Sequence, residues 1–301
     1  MGHTRMANRL ENKVAVVTGG NSGIGEDTAA LFAEEGARII LMARREAEGR
    51  EVEARIKASG GDAKFIPCDV GDVESVSDAI ELAAKTYGRI DVLFNNAGGG
   101  GGGNFPNESD EEWNRVVNVN LTGTFYVSRA VWPHLVEAGA GTVVNMSSLA
   151  AQRGFSPRMQ DEFGATSASY YAAKAGVDAL TRYMAGAGGR HNIRVNCLAP
   201  GAATRMTASV PGSRFDADAP PPPEMDPALV TPAVLFMCSE EAPSANTIHA
   251  SGGRYSRSQT YTNQGVSLGT DATFDDLIEQ TESVCDMSAS SPFDPLNRGP
   301  R

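Results

Sequence analysis

Short apolar runs rich in β-branched residues alternate along this chain with stretches of helical period, and few folds accommodate that alternation. The runs are Val14–Thr18, Arg38–Met42, Lys64–Pro67, Asp91–Asn95, Thr142–Met146 and Ile193–Leu198. Between them the periodicity predicts a helix from Gly23, helices over Ala47–Ser59 and Val73–Tyr87, a long helix within Asp110–Leu135 and another after Ser169. Such a rhythm implies parallel strands joined by crossover helices. The runs are continuously apolar, as strands are when helices cover both sheet faces. The expectation is an α/β fold, one doubly wound sheet without an internal domain boundary.

Directly after the first strand stands Thr18-Gly19-Gly20-Asn21-Ser22-Gly23-Ile24-Gly25, followed by a helix bearing Ala29, Leu31, Phe32 and Ala33. Glycines there allow a tight turn and bring backbone N–H groups close to a pyrophosphate at the positive end of the helix. The spacing is Gly-x-x-x-Gly-x-Gly rather than Gly-x-Gly-x-x-Gly, so the motif draws its meaning from the strand-turn-helix context. The second strand ends in Met42-Ala43-Arg44-Arg45, with no acid where one would hydrogen-bond the 2′-hydroxyl of NAD. Ala43 leaves room and Arg44 can pair with a 2′-phosphate, so NADP is the expected cofactor, with NAD the other possibility. Arg45 either shares that role or solvates a helix start.

Tyr170 and Lys174 lie four apart, hence on one helix face, with Ser169 placed to cap that helix. A neighbouring ammonium stabilises a phenolate, and lowering a phenol by about 3 pH units requires roughly 4 kcal/mol. Tyr170 could then exchange a proton with a substrate oxygen, while Lys174 holds the nicotinamide ribose.

Taken in order, Thr18–Gly25, Asn95-Asn96-Ala97-Gly98, Asn120, Ser147-Ser148, Tyr170-x-x-x-Lys174 and Pro200-Gly201 resemble the classical short-chain dehydrogenases/reductases. The resemblance spans residues 12–253 and implies a single Rossmann-type dinucleotide-binding catalytic domain with a seven-stranded parallel sheet. Residues 1–11 and 254–301 would be terminal extensions. It implies that Ser148 orients the substrate carbonyl and that Asn120 holds a water in a proton relay behind Lys174, with neighbouring Ser147 and Asn118 taking no part. Gly19, Asn21, Ser22, Gly23, Ile24 and Gly25 would cradle the dinucleotide. Asn96, Ala97 and Gly98 would line the adenosine side, and Pro200, Gly201 and Thr204 would contact the nicotinamide carboxamide. Asp69, in Cys68-Asp69-Val70, would contact adenine together with Val70, or else cap a helix.

Several segments interrupt the pattern. Gly98–Gly103 is either a flexible connector or a backbone path close to a ligand. Residues 203–226, with Pro220–Pro223, read as a long loop and a substrate lid. The connection from Ser148 to Tyr170 is longer than the family norm, and the extra residues around Arg153–Thr166 form either a pocket rim or a solvent loop. The helix after Lys174 runs into Ala185-Gly186-Ala187-Gly188-Gly189, poor helix formers that predict a loose end. Beyond Ser251-Gly252-Gly253 the chain continues, with a helix predicted over Phe274–Cys285 and a surface tail from Ser288. This arrangement resembles the (3R)-hydroxyacyl-CoA dehydrogenase module of peroxisomal multifunctional enzymes.

Twenty-six Lys and Arg stand against 37 Asp and Glu, a net charge of −11, which argues against nucleic-acid and anionic-membrane partners. No apolar run is long enough to span a bilayer and the start lacks a signal-peptide core, so a cytoplasmic location is expected. Cys68, Cys197, Cys238 and Cys285 are far apart and the histidines scattered, so no metal is expected. The chain should act on a small-molecule ketone or secondary alcohol, as an NADP-preferring carbonyl reductase or alcohol dehydrogenase. The family implies a homodimer or homotetramer, and Ala172, Ala173, Ala175 and Gly176 could pack against a second subunit or the chain's own core. The other readings are a (3R)-hydroxyacyl-CoA dehydrogenase and a non-catalytic NADP-binding sensor or scaffold.

Overall fold

Seven strands pair in parallel, and each apolar run foreseen above supplies one of the first six. They are β1 (Val14–Thr18), β2 (Arg38–Ala43), β3 (Asp62–Pro67), β4 (Val92–Asn95), β5 (Gly141–Met146), β6 (Ile193–Gly201) and β7 (Thr247–Ser251). The molecule is described from a computed structural model, covering residues 8–101, 103, 105–153, 167–210, 212–213, 215–216 and 219–292. Sheet order is β3-β2-β1-β4-β5-β6-β7-β8, an α/β Rossmann-type arrangement. The eighth strand, β8 (Arg254–Ser258), corrects the seven-stranded expectation. Its cause is local: Gly252 and Gly253, both at positive φ, fold the chain back along β7 as a two-residue turn.

Helices α1 (Gly23–Glu34), α2 (Glu46–Ala58), α3 (Val73–Tyr87), α4 (Asp110–Val117), α5 (Gly123–Glu137) and α6 (Ala168–Gly188) connect these strands. Alternate strand residues such as Ala15, Val17, Ile39, Leu41 and Phe94 join Phe32 of α1, Val52 of α2 and Val234 of α8 (Thr231–Cys238) in one buried cluster. Their neighbours Val14, Val16, Ile40 and Leu93 point to the other face and are equally buried. Both faces are therefore covered.

Several element boundaries differ from the sequence expectations. The long helix within Asp110–Leu135 is broken by a π-helical turn at Asn118–Thr122, which separates α4 from α5. α6 starts at Ala168, and its capping acceptor is Ser167 rather than Ser169. Its end is not loose: helix persists through Gly188 and tightens into a 3₁₀ turn over Gly189–His191. Within 203–226 stand a short helix, α7 (Arg205–Ala208), and a 3₁₀ turn at Pro223–Met225. Apart from Arg153, the stretch Arg153–Thr166 lies outside the described residues.

The described chain divides into two units, one ending at Arg257 and the other beginning at Ser258. In the second, β9 (Tyr261–Thr262) pairs antiparallel with β10 (Ser291–Pro292). The helix expected over Phe274–Cys285 is instead α9 (Phe274–Glu279) and α10 (Thr281–Cys285), interrupted at Gln280.

Candidate active site

Strand order reverses between β1 and β4, and doubly wound sheets bind ligands in the crevice beyond the strand ends at that point. The glycine loop leaves β1 there, beside the Asn96-Ala97-Gly98 turn that leaves β4. Asn96 Nδ2 donates to the carbonyls of Thr18 and Gly19 at 2.9 and 3.1 Å, and Ala97 N donates to Thr18 Oγ1 at 3.0 Å. The fit is so close that a Cβ at Gly25 would stand 2.4 Å from Asn96 Nδ2 and 2.5 Å from the Gly19 carbonyl. Asn21 extends the loop toward β2, donating from Nδ2 to the Arg45 carbonyl at 3.3 Å.

Asp72, Ser109 and Ser167 cap α3, α4 and α6 with side-chain oxygens, whereas α1, like α2 and α5, has no side-chain cap, and Ser22 makes no such bond to its first turn. The first-turn N–H groups are thus left without a side-chain acceptor, with the positive helix end behind them. Gly23, at φ +53°, faces Thr204, and a Cβ there would stand 3.5 Å from Thr204 Cγ2. These features fit a dinucleotide pyrophosphate. Ile24 and Val70 are buried, and Asp69 does not cap α3, a role that falls to Asp72. Asp69 Oδ1 accepts from Gly71 N at 3.0 Å, and its Oδ2 lies 3.9 Å from Arg44 Nη1. Pro200 and Gly201 lie inside β6, beyond the end foreseen at Leu198, and Thr204 caps α7.

At the ends of β4, β5 and α6 a second constellation gathers. Ser148 ends the β5 segment, its Oγ accepting from Ala150 N at 3.2 Å to start a 3₁₀ turn over Leu149–Ala151. Its hydroxyl is close enough to the Tyr170 phenol to favour the ionised form. Lys174, one helical turn on, is buried, donates from Nζ to the Met146 carbonyl at 2.8 Å and lies 5.6 Å from the centre of the Tyr170 ring. Ser147 is turned inward, donating to the Lys174 carbonyl at 3.3 Å, and Asn118 is tied to the Gly71 carbonyl at 3.0 Å.

Asn120 sits in the π-helical turn, a local distortion that recurs at functional sites. Both hydrogens of its amide are used, toward the Gly99 and Val116 carbonyls at 2.8 and 2.9 Å. The side chain therefore clamps the glycine run beside Lys174. Its backbone carbonyl accepts from Thr124 Oγ1 at 2.8 Å. A Cβ on Gly98 would stand 2.8 Å from Asn120 Oδ1 and 3.5 Å from Lys174 Nζ. Gly98 and Gly99 thus run against Asn120 and Lys174, with residue 102 of the run outside the described residues.

Burial pushes the Tyr170 phenol above its ordinary value, with the Ser148 hydroxyl opposing it. Burial also lowers Lys174 itself, to about 8, against the opposing pull of Cys197 and Asp178. Two contributions escaped sequence reading. Glu108 binds the start of α6 through Ser169 N at 3.1 Å and the Ser169 hydroxyl, and Arg205 reaches Ser22 from α7. Neither has a local signal, since both contacts join distant segments.

Comparison with known proteins bears on the same fold and residues. The short chain dehydrogenase family profile matches residues 13–213. A 2,5-dichloro-2,5-cyclohexadiene-1,4-diol dehydrogenase of Sphingobium indicum is 39% identical over 241 residues, 79% of this chain and 93% of that protein. A trans-4-hydroxycyclohexanecarboxylate dehydrogenase of Sinomonas cyclohexanicum is 35% identical over 246 residues, covering 79% and 90%. The crystal structure of a short-chain dehydrogenase/reductase from Burkholderia xenovorans superposes with a TM-score of 0.70 at 29% identity, over 82% of this chain and 98% of that one. With its profile match, its homologues and its sheet order in agreement, the chain belongs to the classical short-chain dehydrogenase/reductase family, NAD(P)-dependent oxidoreductases acting on alcohols and carbonyls.

Proposed function

We propose that this protein is an NADP-preferring reductase and dehydrogenase that interconverts a cyclic ketone and its secondary alcohol. The convergence of Ser148, Tyr170 and Lys174 at the strand ends carries the reading. When bound, the nicotinamide supplies or accepts the hydride. Ser148 and Tyr170, close enough for the Ser148 hydroxyl to act on the phenol, present two hydroxyls to a single substrate oxygen. Tyr170 gives that oxygen a proton in reduction and takes it back in oxidation, a role worth about 10²–10⁴ in rate. Lys174 has three N–H donors and spends one on Met146, which leaves two for the nicotinamide ribose and a relay water on the Asn120 carbonyl.

The raised phenol gives a sign to the pH dependence. Reduction needs protonated Tyr170 and holds its rate through neutral pH, falling at alkaline pH. Oxidation needs the phenolate and climbs as pH rises.

Ala43 and the exposed Arg44 at the end of β2 support NADP, since among the described residues Arg44 is held by a long, solvent-exposed pairing with Asp69. The cyclic alcohols named in two relatives support the substrate class. The test is NADPH and NADH oxidation against substituted cyclohexanones, aryl ketones and a 3-oxoacyl thioester. Turnover of the cyclic ketones, faster with NADPH, supports the proposal. Preference for the thioester would replace it with the hydroxyacyl-CoA reading, and nucleotide binding without turnover of any ketone would favour a sensor.

A further inference from the structure

Arg205 makes a contact that the cofactor loop's own sequence does not foreshadow. From α7, in the lid segment, its Nη2 donates to Ser22 Oγ at 2.9 Å across 183 positions of chain. Ser22 is the residue before Gly23 in the dinucleotide loop. Arg45, after the end of β2, is close enough that its charge depresses the Arg205 pKa, second to burial, while Glu48 opposes the effect. Glu48 occupies Nη1 of Arg45. Arg45 Nη2 is shielded from solvent and has no hydrogen-bond partner among the described residues. Arg45, Arg205 and Glu48 thus stand beside the end of β2, the place where Rossmann folds meet the substituent on the adenosine ribose. The shielded Arg45 donor is costly to leave unpaired without an acceptor to join it.

We propose that Arg205 is a specificity-determining residue that reads the 2′-phosphate of NADP from the lid, together with Arg45, so that one contact both selects the cofactor and draws the lid onto it. Ser22 holds the Arg205 guanidinium in place, and the phosphate joins it to Arg45 Nη2. The inference rests on the NADP reading above and adds to Arg44 a reader from a distant segment.

Equilibrium binding tests it without turnover. Wild-type protein and Arg205→Gln are titrated with NADPH, NADH, adenosine 2′,5′-bisphosphate and AMP, and amide hydrogen exchange is followed over residues 205–210. The expected result is about a tenfold loss of NADPH and bisphosphate affinity in the variant, with NADH and AMP within twofold of wild type. The bisphosphate, but not AMP, should slow exchange over 205–210 in wild type, and the variant should lose that protection. Equal losses for all four ligands would place Arg205 on the shared part of the nucleotide, and no loss would make it a surface contact; either overturns the proposal while leaving the NADP reading intact. Wild-type protein that binds NADPH no more tightly than NADH would remove the NADP reading and this inference with it.

Discussion

Beside Tyr170, the Lys174 ammonium has exchanged its hydration for the Met146 carbonyl at 2.8 Å. Its folded-state pKa of about 8 lies below the ordinary 10.5. Below pH 8 the folded and unfolded chains both carry the proton, so the folded state bears the whole cost of burying the charge. That cost, about 3 kcal/mol, fades as pH rises from 8 to beyond 10.5. Lys174→Met should therefore be catalytically dead yet more stable at pH 7 by about 1–2 kcal/mol, once the lost bond to Met146 is counted. Urea denaturation at pH 7 and pH 10.5 checks this: the gain should shrink at the higher pH, and a destabilised variant at pH 7 contradicts it. The candidate pair was readable at this scale because Tyr170 and Lys174 share a helix face by spacing alone. The raised phenol was not, because it follows from burial that only the folded chain creates.

Helix and strand existence followed from periodicity, while several ends did not. Serines at 167 and 169 are equivalent as caps in sequence, and only tertiary contact separates them: Ser167 Oγ accepts from Tyr170 N at 3.3 Å, whereas Ser169 is engaged by Glu108. Ser167→Ala should cost about 1 kcal/mol by thermal denaturation and lower kcat with little change in cofactor affinity, because it loosens the turn that holds Tyr170. An unchanged kcat would show that the cap does not position the phenol. The π-helical turn at Asn118–Thr122 adds a residue without breaking the apolar pattern, so α4 and α5 read as one helix. In the glycine loop, Gly25→Val would drive a side chain into Asn96 and the Gly19 carbonyl. A loss of about 1–3 kcal/mol together with weakened NADPH binding is expected, and a variant of wild-type stability and affinity would mean that the loop does not need this close approach.

At the scale of the whole chain, the parallel sheet was legible because strands buried on both faces write themselves as apolar runs. β8 was less so: Arg254-Tyr255-Ser256-Arg257-Ser258 is polar and largely exposed, and only the Gly252-Gly253 turn before it announced a hairpin. Among the described residues beyond Ser258 none is buried, so the core belongs to the first unit. A chain ended after Ser258 should keep its melting temperature within a few degrees and still bind NADPH; collapse of either would show that the second unit stabilises the first. In the proposed reaction this sheet brings the Tyr170 phenol to a carbonyl beside a nicotinamide. The most direct test compares wild type with Tyr170→Phe in NADPH oxidation by a substituted cyclohexanone, with NADPH affinity measured alongside. The account predicts turnover by wild type and a loss of at least about 10²-fold in the variant, with affinity within twofold; a variant that keeps most of the wild-type rate would contradict it.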